Sequence, residues 1–463
     1  MMEILRISDY QLRIEDRDLL AIKDLSLHLG EKIVLLGENG VGKTSFFKSL
    51  IGQIDDYEGR LVLNSDFVYV PQIKEASQQS GGEQMMAYLK KAFQKKPTLL
   101  LLDEPSSHLD SNNQQWLISQ LLAFKGTAVV ISHDRKLIND VSQKIWLIED
   151  KTIKVYPGNY HDFQELRARE EARRLRELKS YRQKVAQLEH AILMKKEKAK
   201  KMSRRKKKNV SSSDWKVNAF AGSYDSQAKA VAKTSKVMEK RLANLPEVKD
   251  IPKKQWAKLK DSSDKQATPN TLIRLTEGQL FRKEEYLFDY PDFINRGHDK
   301  VVIKGRNKAG KSSFLEALVD HKLPGYYAQG LEISYFRQDQ LNLDLDLSAF
   351  DIIQKQSNQS QHIIFNSLAM MGIDYHKAKQ KITCLSGGER IRVSLVLMLL
   401  RPHHLLILDE PTNYLDLVAI EALEVYLKEY LGALLLVSHD EVFCQKVASV
   451  HYEIDQCRMQ KLT

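Results

Sequence analysis

Apolar residues recur along this chain in two rhythms, and the change of rhythm divides it. Toward both ends they stand in short unbroken runs: Ile33–Leu36, Leu99–Leu102, Val301–Ile303 and Ala433–Val437. Such runs predict strands buried on both faces of a parallel sheet. In the middle the rhythm is helical. Leu178, Tyr181, Val185, Leu188 and Ile192 recur at alternating steps of three and four, as do Val231, Ser235, Met238, Leu242 and Leu245. Two such seams joined by a loop predict an antiparallel coiled hairpin. Asn159 is its expected N-cap, and Pro246 and Pro252 end its second helix. The first helix, taken as 161–208, would reach roughly 70 Å at 1.5 Å per residue. The loop, about 209–226, would sit at its far end.

The expected organisation is therefore an α/β chain in three parts: 1–160, a hairpin over 161–270, and 271–463. No apolar run is long enough to span a bilayer, and Met1–Tyr10 lacks the apolar core of a secretory signal. Cys384, Cys444 and Cys457 form neither a disulfide framework nor a zinc pattern. These features point to a cytoplasmic protein without a membrane domain.

Charge sharpens the division. The 463 residues carry a net +11, with 43% hydrophobic and 28% charged residues, ordinary for a folded protein. Residues 164–260 hold 29 Lys/Arg against 11 Asp/Glu, a balance of +18, so the remainder carries −7. All the basic excess lies in the hairpin, densest at Arg204, Arg205, Lys206, Lys207 and Lys208. A polyanion, nucleic acid first, is the implied partner. On charge alone, a solvated hairpin fits equally well.

The two flanking parts repeat one set of motifs. "GENGVGKT" (Gly37, Glu38, Asn39, Gly40, Val41, Gly42, Lys43, Thr44) follows one apolar strand. "GRNKAGKS" (Gly305, Arg306, Asn307, Lys308, Ala309, Gly310, Lys311, Ser312) follows another. Both fit a phosphate-binding loop. Glycines let backbone N–H groups close around phosphates at a helix start, the lysine reaches the β/γ-phosphates, and the hydroxyl holds Mg2+. Each is followed by a glutamine, Gln72 or Gln338, and then by a second glycine turn. Those turns are Ser80, Gly81, Gly82 and Glu83, and Ser386, Gly387, Gly388 and Glu389. "LLLLDEP" and "LLILDEP" come next, then "SSHLD" and "TNYLD", then "ISHD" and "VSHD". The serine-to-aspartate interval is 23 residues in both halves, and Asp103 to His133 matches Asp409 to His439 at 30. Chance does not give two such series.

This ordered set resembles the ATP-binding cassette ATPases and covers nearly everything outside the hairpin. The resemblance implies parallel-sheet cassettes that bind ATP and Mg2+. Thr44, Ser312, Gln72, Gln338, Asp103 and Asp409 would hold the metal. Glu104 and Glu410 would polarise the attacking water, with His133 and His439 fixing it against the γ-phosphate. The serine–glycine turns would serve the nucleotide of the opposite cassette, so the two halves close head-to-tail within one monomer. Gly37–Thr44 would then work with Ser386–Glu389, and Gly305–Ser312 with Ser80–Glu83. The first turn has Gln79 where leucine is usual. Gln72 precedes Ser80 by 8 residues, whereas Gln338 precedes Ser386 by 48. The first cassette thus lacks about forty residues of helical subdomain, which weakens a transport reading.

Two cassettes, a basic hairpin and "YPGNY" leading into it resemble the ABC-F proteins. The tip, "KKKNVSSSDWKVNAFAG", resembles the antibiotic-resistance members of the Vga type. The match departs at the C-terminus, where some members carry a further basic helical extension. By resemblance, the ATP-bound protein enters the exit site of the bacterial 70S ribosome. Its linker then pushes toward the P-site tRNA and the peptidyl-transferase centre, displacing drug, with lincosamides, streptogramin A and pleuromutilins expected first. Trp215, Lys216, Val217, Asn218, Ala219, Phe220 and Tyr224 would form the probing tip. Arg204–Lys208 would neutralise rRNA and tRNA phosphates. Packing of those aromatics against their own helices is the structural alternative. A housekeeping translation factor shares the same fold, and the ATPase subunit of a drug exporter shares the cassettes.

Overall fold

The computed structural model describes residues 2–14, 17–72, 81–107, 109–208, 229–231, 233–244, 270–337 and 343–462; the side chains of Ala199, 202–208 and Tyr414 are not described. The chain forms two compact units. One joins Met1–Phe163 to Lys254–Thr463, and the other is Gln164–Lys253.

The apolar runs form strands as their rhythm predicts. In the first cassette Lys32–Gly37, Leu99–Asp103 and Thr127–Ile131 are strands, the last two buried at all five positions. The sheet order is Phe67–Val70, Leu99–Asp103, Thr127–Ile131, Lys32–Gly37, Lys144–Glu149, Thr152–Pro157. All neighbours pair in parallel except the last. A three-stranded antiparallel sheet, with Glu3–Ile14 between Arg17–His28 and Tyr57–Leu63, closes over Phe46, Phe47 and Trp146.

The second cassette repeats the order with Ile333–Phe336, Leu405–Asp409, Ala433–Val437, Lys300–Gly305, Val450–Asp455 and Arg458–Leu462. Glu285–Tyr290 and Gly278–Arg282 extend the far edge. Register is the same as well: Asp103 lies opposite Ile131, and Asp409 opposite Val437. The halves differ before the second glycine turn. Helices Ala349–Gln356, Gln361–Met370 and Tyr375–Lys379 fill that interval in the second cassette, packed on Phe350, Ile353, Ile364 and Leu368. In the first, only residues 73–80 separate Gln72 from the helix Gly81–Gln94.

The second unit is helical where it is described. The helix Tyr160–Lys208 is 49 residues long, about 70 Å at 1.5 Å per residue. Asn159 and Asp162 start it reciprocally: the Asp162 N–H donates to Asn159 Oδ1 and the Asn159 N–H to Asp162 Oδ2, both at 3.1 Å. A Cβ on Gly158 would strike Asp162 at 2.3 Å, so this cap needs glycine. Leu178, Ile192 and Ser235 are buried and Tyr181, Val185, Leu188, Val231, Met238 and Leu242 partly so, the seam positions standing less exposed than most residues between them. Lys196 joins Glu239 across the pair at 2.7 Å. No helix among the described residues is long and apolar enough to cross a membrane.

Candidate active sites

Each phosphate loop lies between the central strand of its sheet and a helix, Lys43–Leu50 or Lys311–Val319. Gly42 and Gly310 cap those helices in the left-handed region, with φ of 100° and 94°. A Cβ would stand 3.2 Å from Leu19 at the first and 3.0 Å from Phe288 at the second. Lys43 Nζ donates to the carbonyls of Gly37 at 2.7 Å and Glu38 at 3.1 Å. Lys311 Nζ donates to those of Gly305 at 2.8 Å and Arg306 at 2.9 Å. Burial lowers the pKa of both lysines. Val41 and Ala309 pack partly against the cores beneath.

The carboxylates end the strand two places away. Thr44 Oγ1 donates to Asp103 Oδ2 at 2.7 Å, and Ser312 is hydrogen-bonded to Asp409. Tyr69 OH also approaches Asp103, at 3.4 Å. Burial raises both aspartates, Asp409 to about 6. A buried carboxylate beside a hydroxyl is a hard oxygen donor set, so these residues fit Mg2+. Gln72 is exposed past the end of its strand.

The residue just after each strand is strained. Glu104 and Glu410 have φ of 49° and 50°, although neither is glycine. Each N–H donates at 2.9 Å to the neighbouring strand, at Ile131 and Val437. That backbone tie turns the side chain toward the histidine two residues past the end of the same neighbouring strand. Glu104 Oε1 is 3.3 Å from His133 Nε2, and Glu410 Oε1 is 3.3 Å from His439 Nε2. Burial pushes Glu104 up to about 7, lowers His133 well below its ordinary value, and lowers His439 to about 3. Both histidines are therefore neutral near pH 7. His439 also meets Asn307 Oδ1 at 3.0 Å and Lys311 at 3.4 Å.

Each loop reaches the other cassette. The Asn39 N–H donates to Asp416 Oδ2 at 3.0 Å, and the Asn307 N–H to Asp110 Oδ2 at 3.5 Å. The second oxygen of each aspartate caps its own helix, Asp416 accepting from the Ala419 N–H at 2.9 Å and Asp110 from the Asn113 N–H at 3.0 Å. One carboxylate thus starts a helix and holds the opposite phosphate loop. Sequence reading did not single these two out, although an aspartate directly before a helix is a capping signal.

Glu83, in the first turn of the helix Gly81–Gln94, pairs with Lys308 of the other cassette at 2.7 Å. Ser386 caps the helix Gly387–Leu400 in a reciprocal box with Glu389, and Lys377 joins Glu389 at 2.7 Å. A Cβ at Gly387 or Gly388 would meet nothing, so that turn presents an open face. Ser80, Gln338 and the tip residues Trp215, Lys216, Val217, Asn218, Ala219, Phe220 and Tyr224 lie outside the described residues. Arg204–Lys208 end the long helix.

Two family models, both described as ABC transporter, match the chain, one at residues 20–79 and 293–413 and one at 146–211. The chain is 27% identical to the Ribosome protection protein VmlR of Bacillus subtilis, over 100% of this chain and 88% of that one. It is 27% identical to the Erythromycin resistance ATP-binding protein MsrA of Staphylococcus epidermidis, over 96% of each. It is 32% identical to the ATP-binding protein Uup of Haemophilus influenzae, over 81% of this chain but 54% of that protein. Among solved structures, the RNase-L Inhibitor superposes with a TM-score of 0.62 at 15% identity, covering 98% of this chain and 90% of that one. The archaeal ribosome recycling factor aABCE1 gives 0.62 at 16%, covering 97% and 89%. At those identities the structures bear on fold alone.

Proposed function

The chain belongs to the ABC-F ATPases, which bind and hydrolyse ATP, and from that premise we propose that it protects the bacterial 70S ribosome from antibiotics. In this reading the ATP-bound, closed monomer acts in the cytoplasm. It enters the exit site beside the P-site tRNA, and its hairpin tip clears drug from the peptidyl-transferase region. Hydrolysis then reopens the cassettes and releases it. The observation that carries the proposal is a basic excess of +18 confined to the hairpin of a chain with two matched sites. Similarity over nearly the full length to VmlR and MsrA supports it. Lincosamides, streptogramin A and pleuromutilins are the proposed drugs.

At each site the glutamate is the proposed general base and the neutral histidine positions the water and the γ-phosphate. For Glu104, a pKa of about 7 suits a base working at neutral pH. Lys43 and Lys311 exchange their carbonyl partners for β/γ-phosphate oxygens. Thr44 with Asp103, and Ser312 with Asp409, would hold Mg2+, together with Gln72 and Gln338. Bound there, Mg2+ would neutralise charge on the phosphates. Asp416 and Asp110 set the opposing loops, and Ser386–Glu389 and Ser80–Glu83 complete the sites from across the interface.

The test is susceptibility of a drug-sensitive bacterium expressing the protein, with drug accumulation and in vitro translation measured alongside. Protection of translation at unchanged accumulation is expected; reduced accumulation would make it an exporter subunit. Phe220→Ala should alter resistance to at least one drug class while basal ATPase stays within about twofold, roughly 0.4 kcal/mol of barrier. Neutralising Arg204–Lys208 should flatten the salt dependence of ribosome binding by at most about four in log–log slope. A second reading is a general translation factor without a resistance role; the 32% identity to Uup, named for ATP binding and not for resistance, favours it. Wild-type resistance in every tip variant would remove the tip from the mechanism, and no resistance from the wild-type protein at matched expression would favour that second reading.

A further inference from the structure

The two histidine loops meet across the cassette interface, and they are not held alike. Asp134 starts the helix Arg135–Val141, accepting from the Lys136 and Leu137 N–H groups at 3.0 and 3.1 Å. The first residue of that helix, Arg135, is buried, its side chain 4% exposed, and forms an ion pair with Glu424 of the second cassette. Glu424 lies on the helix Leu417–Glu429, is 9% exposed at its side chain, and is held from behind by Lys446 at 3.1 Å. Nε and Nη2 of Arg135 have no hydrogen-bond partner among the described residues, so its side-chain hydrogen bond is to Glu424, with Asp440 and Tyr160 adding to the electrostatics around it.

The second site lacks this arrangement. Two residues after His439, in place of Arg135, stands Glu441, which faces Lys136 at 3.1 Å with both side chains about 40% exposed. Eight residues after Asp110, in place of Glu424, stands buried Ile118. One loop is therefore fixed by a buried pair and the other by a solvent-screened one. A screened pair contributes little, whereas breaking a buried one is costly.

The helix Leu417–Glu429 also carries Asp416, the acceptor of the Asn39 N–H. It grips the first site twice, at the phosphate loop through Asp416 and behind His133 through Glu424. We infer that Arg135 is a positioning residue of the first ATP site, locking the His133 loop to the same helix of the second cassette that holds its phosphate loop. With both ends fixed to one rigid element, the His133 loop and the phosphate loop of the first site are held together by the second cassette. Displacements of about 1 Å in such a constellation lower rates by about a hundredfold. The second site's histidine loop is freer of its opposing helix.

This rests on the reading of Glu104 and Glu410 as the bases of the two sites, and the experiment separates the two claims. Glu410→Gln isolates the first site and Glu104→Gln the second; each should lower ATP turnover on its own. Arg135→Met is then placed in each background and the full chain assayed for kcat and KM, with melting temperature as a control. Lys446 still faces Glu424 in this variant, so the carboxylate is not orphaned. A fall in kcat of about tenfold at the first site is expected, with KM for ATP and the second site both within about twofold. Glu424→Gln should reproduce the pattern and Arg135→Lys should restore most of the rate. If Arg135→Met does not fold, Glu424→Gln carries the site-selective loss and Arg135→Lys the retained rate. Equal losses at both sites, or none, overturn the inference while the glutamate assignment stands. If neither glutamine substitution lowers turnover, the site reading falls and the inference with it.

Discussion

The two proposed ATP sites share a glutamate–histidine pair and differ in what holds it. The glutamate–histidine separation is 3.3 Å in both, and the glutamates have φ within 1° of each other. Around that constant centre the supports diverge. The first phosphate loop is held at 3.0 Å by Asp416 and its histidine loop by a buried ion pair. The second is held at 3.5 Å by Asp110, and its histidine loop has a partly exposed pair. The second cassette alone carries the helical insertion between Phe336 and Ser386. The glutamate–histidine geometry is thus duplicated, while its supports are distributed unequally across the interface.

The largest expected effect tests whether the centres are equivalent. Glu104→Gln with Glu410→Gln should lower ATP turnover about a hundredfold or more, about 2.7 kcal/mol in barrier height, while nucleotide binding persists. Phosphate release measures the first and fluorescent-nucleotide titration the second. Turnover near the wild-type rate in the double variant would remove both glutamates from the chemistry.

What could be read from sequence follows from the range of the forces involved. Leu99–Asp103 and Ala433–Val437 were legible because a strand buried on both faces must be apolar along its length. The hairpin seam was legible because packing imposes its period, and Leu178 and Ile192 are buried where that period puts them. Thr44, Asp103, Glu104 and His133 were legible as types in fixed order. Their strain and pKa values were not, because φ at Glu104 depends on a hydrogen bond to Ile131 in the next strand. The ties from Asn39 to Asp416 and from Arg135 to Glu424 join residues hundreds of positions apart. They depend on how the two cassettes pack on one another, which no local pattern encodes.

A smaller effect should separate the supports. Asp416→Ala and Asp110→Ala each remove a helix cap, worth about 1 kcal/mol. They differ in the cross-cassette bond, so Asp416→Ala should lower turnover about tenfold and Asp110→Ala about threefold. Asparagine at either position keeps an acceptor for the cap and should recover the melting temperature. Equal rate losses would mean that 3.0 and 3.5 Å are functionally the same contact.

The smallest effect concerns the one glycine the second phosphate loop has lost. Gly40 has φ of 81°, and Lys308 holds the matching position at 64°. A residue with a Cβ in this region is strained by about 1–2 kcal/mol, offset by about 0.5–1 kcal/mol because glycine loses more freedom on folding. A Cβ at Gly40 would meet nothing within 4 Å, so no clash adds to that sum. Gly40→Lys should therefore cost at most about 1.5 kcal/mol. Lys308→Gly recovers the strain but loses the exposed pair with Glu83, worth about 0.2–1 kcal/mol, and should be close to neutral. Gly42→Ala, where φ is 100° and Leu19 stands 3.2 Å from the new Cβ, should cost more than either. Thermal melting of the three variants, with and without ATP, makes the comparison. If Gly40→Lys destabilises as much as Gly42→Ala, or abolishes ATP-dependent stabilisation, then Gly40 is needed for close approach of the nucleotide. The second loop, with Lys308 in that place, would then hold its phosphates differently from the first.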